Sequence, residues 1–263
     1  MRNPDDNGDL EQLTGAGTPG GNRRMRAILV LAGTVLFMLS PLASGGFGGF
    51  DPTQFPVPQD RPPVQPAGYA FSIWGLIYLW LLLHAGYGLF LRAEDRGWDA
   101  PRWPLAASLG IGAAWISVAQ ISAIWATVLI WLMLAGAAVA AIRAPRGGGA
   151  DRWIGAAPLG IYAGWLTAAS WVSVGLLLAG YGLLGAQAAA LVALAGALVF
   201  AVLVQGRQRG RPEYGLTVTW ALVAVSVANS FGDRPDAATS VALLAGIGAL
   251  AMAALALRSA RQP

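Results

Sequence analysis

The chain of 263 residues contains no cysteine, no lysine and only one histidine, and 11% of its residues are charged. The lack of cysteine excludes disulfide bridges, thiolate nucleophiles and cysteine-ligated metal ions. The apolar segments carry no paired carboxylates and there is no second histidine, so ordinary acid–base catalysis has no suitable side chains. The sequence therefore predicts a protein that is not an enzyme, that binds no metal and that requires no cofactor.

Hydrophobic residues make up 56% of the chain, and its mean hydropathy is +0.56. Such a composition is typical of a protein embedded in a lipid bilayer. The long apolar segments contain no Asp, Glu or Arg, each of which costs about 2.5–3.5 kcal/mol at the bilayer centre. We predict an all-α polytopic membrane bundle of about eight transmembrane helices, at roughly 27–44, 68–91, 104–120, 123–142, 153–178, 184–205, 214–231 and 237–257.

All seventeen basic residues are arginines, and their distribution along the chain is uneven. Fifteen of them precede the first predicted helix, follow helices 2, 4 and 6, or close the chain, whereas only Arg61 and Arg234 lie in other loops. The positive-inside rule predicts a multi-pass protein of the bacterial inner membrane with both termini in the cytoplasm. This topology accounts for the isoelectric point of about 10.0, and no binding of nucleic acid is expected.

The first 22 residues are rich in Gly, Asp and Asn, and we predict that residues 1–26 form a disordered cytoplasmic tail. Arg23 and Arg24, followed by an apolar segment, also fit a cleavable or twin-arginine signal peptide. The usual flanking residues of a twin-arginine signal are missing, so we expect the segment to remain as the first helix.

The longest connection runs from Gly45 to Pro66 and contains a Gly-Gly-Phe-Gly-Gly sequence followed by six prolines. Such a segment cannot form one continuous helix. Long loops without secondary structure are usually functional or disordered. This loop is therefore either a lid over the helix bundle or a flexible connector.

Aromatic residues of two predicted helices lie in stripes. Counting about 100° per residue gives two stripes on helix 2, the first with Phe71, Trp74 and Tyr78 and the opposite one with Trp80, His84 and Tyr87. Helix 5 has one stripe, formed by Tyr162, Trp165, Ala169 and Ser173. These stripes indicate the lining of a ligand cavity, with an interfacial aromatic belt or a helix packing seam as the alternatives.

Two motifs lie on these stripes, Phe-Ser-Ile-Trp-Gly-Leu-Ile-Tyr in helix 2 and Pro-Leu-Gly-Ile-Tyr-Ala-Gly-Trp in helix 5, and Trp115 has a matching place in helix 3. Together they resemble the TspO/MBR family of tryptophan-rich sensory proteins, which is related to the mitochondrial translocator protein. The resemblance covers residues 27–178 as a five-helix bundle. Residues 179–263 form an additional three-helix region, as in longer proteins grouped with this family.

The resemblance implies a pocket among the five helices, closed by the loop between helices 1 and 2. Family members bind tetrapyrroles such as protoporphyrin and haem, and some bind sterols or synthetic aromatic ligands. It implies a membrane receptor or carrier for a tetrapyrrole or sterol-like small molecule, held by Phe71, Trp74, Tyr78, Trp115, Tyr162, Trp165 and Ser173. The alternative function is a structural or assembly subunit of a membrane complex, with or without pigment.

Several further residues carry expectations of their own. His84 is the only histidine, and a structural or interfacial role is expected, with haem ligation as the alternative. Three tryptophans beside loop arginines are typical of the membrane interface, namely Trp98, Trp103 and Trp153. Small-residue pairs on helix 3 predict a homodimer contact of the kind common in the family: Ala106 with Gly110, and Ser108 with Gly112.

Reporter fusions test the predicted topology. Alkaline phosphatase or green fluorescent protein placed after Arg26, Arg146, Arg209 or Arg261 is expected to report the cytoplasm, because each site lies on the arginine-rich side. A reporter after Arg61 is expected in the periplasm. A cytoplasmic signal at Arg61 would contradict both the topology and a lid on the outer face.

Overall fold

The computed structural model describes residues 19–230 and 239–261, and within these ranges it contains helices and no strands. The prediction of an all-α polytopic bundle is thereby confirmed. We number the eight long helices in chain order as α1 (Pro19–Ser44), α2 (Ile73–Phe90), α3 (Arg102–Ala119), α4 (Ala123–Arg143), α5 (Ala157–Gly180), α6 (Ala186–Gln205), α7 (Glu213–Ser230) and α8 (Thr239–Ala260).

The predicted end of the amino-terminal tail at residue 26 falls inside α1, and residues 1–18 of that tail lie outside the described residues. The beginning of α1 is held by an ion pair. Arg26 donates to the carboxylate of Asp99 through Nε at 2.8 Å and through Nη2 at 2.5 Å. Because this contact joins α1 to the short helix Arg96–Asp99, the helix extends beyond the apolar segment that predicted it.

Six helices of the described ranges are long and apolar enough to cross a membrane, namely α1, α2, α4, α5, α6 and α8. The other two predicted spans, α3 and α7, are each 18 residues long, which corresponds to about 27 Å. They are less apolar because each begins with a buried charged residue, Arg102 in α3 and Glu213 in α7. Both pack between neighbours, α3 against α1 and α4, and α7 against α5 and α8.

The helices form two rings that share α5. In the first ring, neighbours pack in the order α1, α2, α5, α4, α3 and back to α1. In the second ring the order is α5, α6, α8, α7 and back to α5. Helix α5 therefore has protein on both sides, and it is the most deeply buried of the six apolar spans.

Hydroxyl groups join α5 to the helices on both sides. The Tyr162 hydroxyl lies 2.9 Å from Ser108 Oγ in α3, and Ser108 in turn donates to the carbonyl of Met133 in α4 at 2.7 Å. On the other side, the Tyr214 hydroxyl of α7 lies 2.9 Å from Thr167 Oγ1. These hydrogen bonds satisfy polar groups that would be costly to leave unpaired inside a bilayer.

Helix α1 places the aromatic side chain of Phe37 inside the first ring of helices. Pro41 has no N–H, so the carbonyl of Phe37 lacks its usual helical donor, and the Ser40 hydroxyl donates to it at 2.8 Å instead. The Phe37 side chain packs against Gly112 of α3. A Cβ atom on Gly112 would lie 2.8 Å from the Phe37 ring, so only glycine allows this close approach.

A second proline, at the beginning of α5, likewise leaves a backbone carbonyl without its helical donor. Pro158 cannot donate to the carbonyl of Ile154 four residues earlier, and residues Asp151–Ala156 adopt a wider π-helical turn. His84 Nδ1 donates to the Ile154 carbonyl at 2.9 Å. Trp80 of α2 donates to the carbonyl of Trp153 at 2.7 Å. Both donors belong to the second stripe of α2, which therefore packs against the beginning of α5.

Arg102 caps the end of α2. Its side chain is 3% exposed, and its guanidinium donates over 2.6–3.0 Å to four carbonyl oxygens, those of Arg23, Gly88, Arg92 and Ala93. The last carbonyls of a helix have no partner within the helix. One arginine thus binds the end of α2, the beginning of α1 and the beginning of α3 together.

Replacement of Arg102 tests this cap. Arg102→Ala removes the guanidinium donors of four carbonyl groups, of which only that of Arg92 also accepts a bond from the Asp95 amide. It is expected to lower the free energy of unfolding by about 2–4 kcal/mol. Thermal or detergent unfolding followed by circular dichroism gives the measurement. Arg96→Ala, which removes an exposed arginine six residues earlier, is the matched control and should change stability by less than about 0.5 kcal/mol. Equal stability of the two variants would contradict the capping role.

Candidate functional site

The loop from Gly45 to Pro66 lies across one end of the bundle, and we call it the lid loop. Hydrogen bonds join it to three helices of the two rings. Gln54 Nε2 donates to the carbonyl of Ala119 at 3.0 Å at the end of α3, and the Val57 amide donates to the carbonyl of Gly180 at 2.9 Å at the end of α5. Asn229 of α7 donates to the carbonyl of Pro63 at 2.8 Å. These contacts show a lid and not a free connector.

Two apolar side chains anchor the lid loop between helices. Phe55 is 4% exposed and Val64 is 3% exposed. Phe55 lies directly on Gly180, where a Cβ atom would collide with the ring. The exposed Asp51 accepts hydrogen bonds from the hydroxyl and the amide of Thr53, and these bonds lower the pKa of the Asp51 carboxyl. The lid loop therefore has a defined conformation even outside its anchors.

A cavity of about 230 Å³ lies inside the first ring, next to Phe47 of the lid loop. Five of the predicted site residues line it, namely Phe71, Trp74, Tyr78, Trp115 and Trp165. The rest of its wall is aliphatic or aromatic and comes mainly from α1, α4 and α5. The cavity is thus apolar and built mostly from flat rings.

The rings around this cavity have fixed relative orientations. Trp74 and Tyr78 are stacked, with centroids 5.4 Å apart and planes inclined by 19°. Trp165 meets Trp74 edge to face at 6.1 Å, and it meets Phe71 in the same way at 5.8 Å. The ring of Phe37 approaches both Trp74 and Tyr78 edge on. Such pairs contribute about 0.5–1.5 kcal/mol each beyond the burial of their area.

A narrower cavity of about 70 Å³ borders the first one and shares part of its wall, including Phe71, Trp115 and Trp165. It lies between the lid loop and the second ring, with walls from α5, α6 and α7. Trp171 and Ser173 line it on the α5 side. We call the two cavities together the chamber. The chamber therefore uses helices of both rings.

Two buried indole N–H groups of the chamber wall have no hydrogen-bond partner among the described residues. They belong to Trp165 and Trp171. The indole of Trp115, by contrast, donates to the carbonyl of Ala126 at 2.8 Å. An indole N–H can only donate, and a buried donor without an acceptor costs about 1–3 kcal/mol. A ligand with an acceptor group would supply what these two donors lack.

The remaining predicted site residues occupy other places. Tyr162 is fully buried and its hydroxyl points to Ser108, so it stands behind the wall of the chamber. Ser173 lines the narrower cavity, but its hydroxyl already donates to the carbonyl of Ala169 at 3.1 Å. Two residues of the chamber wall were not predicted from the sequence, Phe37 and Trp171. Phe37 lies in α1, which carries no predicted aromatic stripe, and Trp171 points away from the predicted stripe of α5 and into the second ring.

The structure corrects the interpretation of Trp98. Trp103 and Trp153 are 59% and 56% exposed, as interfacial tryptophans are, but Trp98 is only 1% exposed. Its indole donates to Asp151 Oδ1 at 2.8 Å and stacks on His84 at 5.2 Å. The carboxylate of Asp95 caps the short helix that carries Trp98 and thereby turns the ring inward.

The two small-residue pairs of α3 face different directions. Ser108 is fully buried and bonded inside the chain, and Gly112 packs on Phe37. A Cβ atom on Gly110 would meet nothing within 4 Å, so Gly110 faces outward. Of the two pairs, only Ala106 with Gly110 remains available for the predicted homodimer contact.

Comparison with known protein families identifies the family to which this helix bundle belongs. The family model described as TSPO-like protein matches residues 52–258. The chain belongs to the TSPO-like protein family. This confirms the resemblance found in the sequence, and the TSPO-like range extends from the lid loop into α8, across the predicted boundary at 178. No curated protein and no solved structure matches the chain.

Tyr162 separates a structural role from a ligand contact. Tyr162→Phe removes the hydrogen bond to Ser108 but keeps the ring, so it is expected to lower the free energy of unfolding by about 1 kcal/mol. Because the hydroxyl points away from the chamber, binding of an aromatic ligand should be unchanged within about twofold. Unfolding curves and ligand titration of the same sample give both values. A large loss of affinity with unchanged stability would place Tyr162 in the site instead.

Proposed function

We propose that this TSPO-like protein is a membrane receptor or carrier that binds a flat, largely apolar ligand of the tetrapyrrole class in the chamber beneath the lid loop. The observation that carries the proposal is the indole N–H of Trp165. It is buried and has no hydrogen-bond partner in residues 19–230 and 239–261, and it stands in the wall common to both cavities. Flat aromatic walls with a few free donors suit a planar ligand that carries polar groups at its edge.

The size of the cavity constrains how such a ligand enters. Its volume of about 230 Å³ is below the usual range of about 300–1,000 Å³ for pockets that hold small molecules. Phe47 and Phe50 of the lid loop are only half-buried, and both line the chamber. We propose that their rings move aside when a porphyrin-sized ligand binds. A smaller aromatic or sterol-like ligand would need less movement.

The proposal is for a binding protein and not for an enzyme. The side chains that face the chamber are almost entirely aliphatic or aromatic, which suits stacking and burial better than proton transfer. We place the protein in the bacterial inner membrane with both termini in the cytoplasm, on the evidence of the arginine distribution. The lid loop then faces the periplasm.

Titration with protoporphyrin tests the proposal. Trp165→Ala is expected to weaken binding by about 1–3 kcal/mol, because stacking and buried area are lost. Trp165→Phe keeps a ring but removes the N–H, and a loss of about 1 kcal/mol is expected from the missing hydrogen bond. Quenching of tryptophan fluorescence in the detergent-solubilised protein gives the affinity. Trp103→Ala, which removes an exposed tryptophan, is the matched control.

The result also decides between the two functions considered. Identical affinity for wild type and Trp165→Ala, or no binding by either, would exclude the chamber as a tetrapyrrole site. Co-purification of the wild-type protein with other subunits would then favour the assembly subunit. The absorbance spectrum of the protein as isolated shows whether a pigment is bound.

A further inference from the structure

Five arginines surround one cavity at the end of the bundle opposite to the lid loop. This cavity has a volume of about 720 Å³ and lies between the α4–α5 connection and the α6–α7 connection. Its lining contains Arg146, Arg152, Arg207, Arg209 and Arg211, and no described residue that lines it is acidic. We call it the arginine pocket. Its volume lies within the range of about 300–1,000 Å³ that is usual for small-molecule sites.

Two of the arginines build the pocket. Arg152 pairs with Glu213 at 2.6 Å and donates to the carbonyl of Gly210. Arg211 donates at 3.1 Å to three carbonyls at the end of α4, those of Ala141, Ala144 and Pro145. These contacts join the two connections, and they fix the positions of two guanidinium groups in the wall.

The other three arginines are exposed and have little to bind within the chain. Arg207 donates only to the carbonyl of Leu203 in its own helix at 3.2 Å. Arg146 and Arg209 make no side-chain hydrogen bond to any part of the chain that the structure describes. Each guanidinium therefore has free donors, and guanidinium groups match the geometry of phosphate oxygens in pairs.

The positive charge of the pocket is not balanced from within. Within the part of the chain that the structure describes, only Arg152 of the five arginines has a carboxylate partner, Glu213. Burial lowers the pKa of Arg211, and the charges of Arg146 and Arg152 lower it further, whereas Glu213 raises it. Like charges thus repel one another here in the absence of a counter-ion, and an anion would relieve that repulsion.

The pocket also lies at the right depth for a lipid headgroup. It is bounded by Ile142 near the end of α4 and by Gly206 just after α6. Beside it, the exposed ring of Trp153 carries the guanidinium of Arg152 at 5.4 Å, and tryptophans of this kind mark the membrane–water interface. Basic pockets between transmembrane helices at this level are a known form of anionic lipid site.

We propose that the arginine pocket binds a phosphate-bearing anion, with Arg146, Arg207 and Arg209 closing on the phosphate group and Arg152 and Arg211 forming the fixed wall. The phosphate belongs either to an anionic lipid headgroup or to a soluble phosphate compound. A positive-inside topology requires arginines on this side, but it does not require five of them to converge on one cavity of this size. This site is separate from the chamber and does not depend on the function proposed for it.

The test uses the full-length protein in detergent with three probes: short-chain phosphatidylglycerol, short-chain phosphatidylcholine and inorganic pyrophosphate. Native mass spectrometry counts bound molecules, and the shift of the thermal unfolding midpoint gives the affinity. The variant is Arg146→Ala with Arg209→Ala, because neither side chain holds the fold. Arg24→Ala with Arg96→Ala removes two exposed arginines outside the pocket and is the matched control.

Wild type and control are expected to bind phosphatidylglycerol about thirtyfold more tightly than the pocket variant. An arginine near the membrane surface contributes about 1 kcal/mol to the attraction of anionic lipid, and the variant lacks two of them. An affinity for phosphatidylglycerol well above the affinities for phosphatidylcholine and pyrophosphate supports a lipid headgroup. An affinity for pyrophosphate at least as high as that for phosphatidylglycerol, with the same loss of affinity in the variant, supports a soluble phosphate compound. The proposal is overturned when the pocket variant and the control bind every probe equally, or when wild type binds neither phosphatidylglycerol nor pyrophosphate.

Discussion

Backbone carbonyls that lose their helical donor must find another one inside the protein, because the bilayer offers none. Within the described residues, four side chains from a neighbouring residue or element illustrate how the bundle meets this constraint. Ser40 serves the carbonyl freed by Pro41 and His84 the one freed by Pro158, while Arg102 caps α2 and Arg211 caps α4. In three of the four cases the donor comes from another element, so the repair of a helix also fixes how two elements pack. The position of α5 follows from it, since His84 and Trp80 hold the π-helical turn that leads into α5 against α2.

The shared position of α5 explains the form of the chamber. A helix with protein on both faces can present rings to two cavities: Trp165 lines both of them and Trp171 lines the narrower one. The small residues of α6 and α7 leave the space that the narrower cavity occupies. Two of the three C-terminal helices, α6 and α7, are therefore part of the wall around the candidate site, and α8 packs against both of them from outside the chamber. Their inclusion in the TSPO-like range agrees with this arrangement.

The long helices and one aromatic face could be predicted from the sequence, because long apolar segments without charge and a period of about 3.6 residues are local properties. The first residues of α1, α2 and α5 differ from the prediction by four or more positions. The stripe of Phe71, Trp74 and Tyr78 indeed faces a single cavity. Periodicity does not say which helix lies opposite, so Tyr162 and Trp165 shared a predicted stripe although their side chains meet different neighbours. Trp98 was misplaced because its arginine neighbours suggested an interface, whereas the cap of Asp95 on a four-residue helix turns it inward. The order of the helices within the two rings, and the narrower cavity, depend on contacts between segments that are distant in the sequence.

The anchorage of the lid loop has a consequence for biogenesis. Asn229 of α7 donates to the carbonyl of Pro63 in the lid loop, and the amide of Ala67, just after the loop, donates to the carbonyl of Ala224 in α7. The ribosome makes both α7 residues more than 150 residues after their partners. Chains are synthesised from the amino terminus, and their parts fold as they emerge. A nascent chain with only five inserted helices lacks these two bonds and the walls from α6 and α7. The chamber is consequently complete only after α7 has been made, when most of the chain has already left the ribosome.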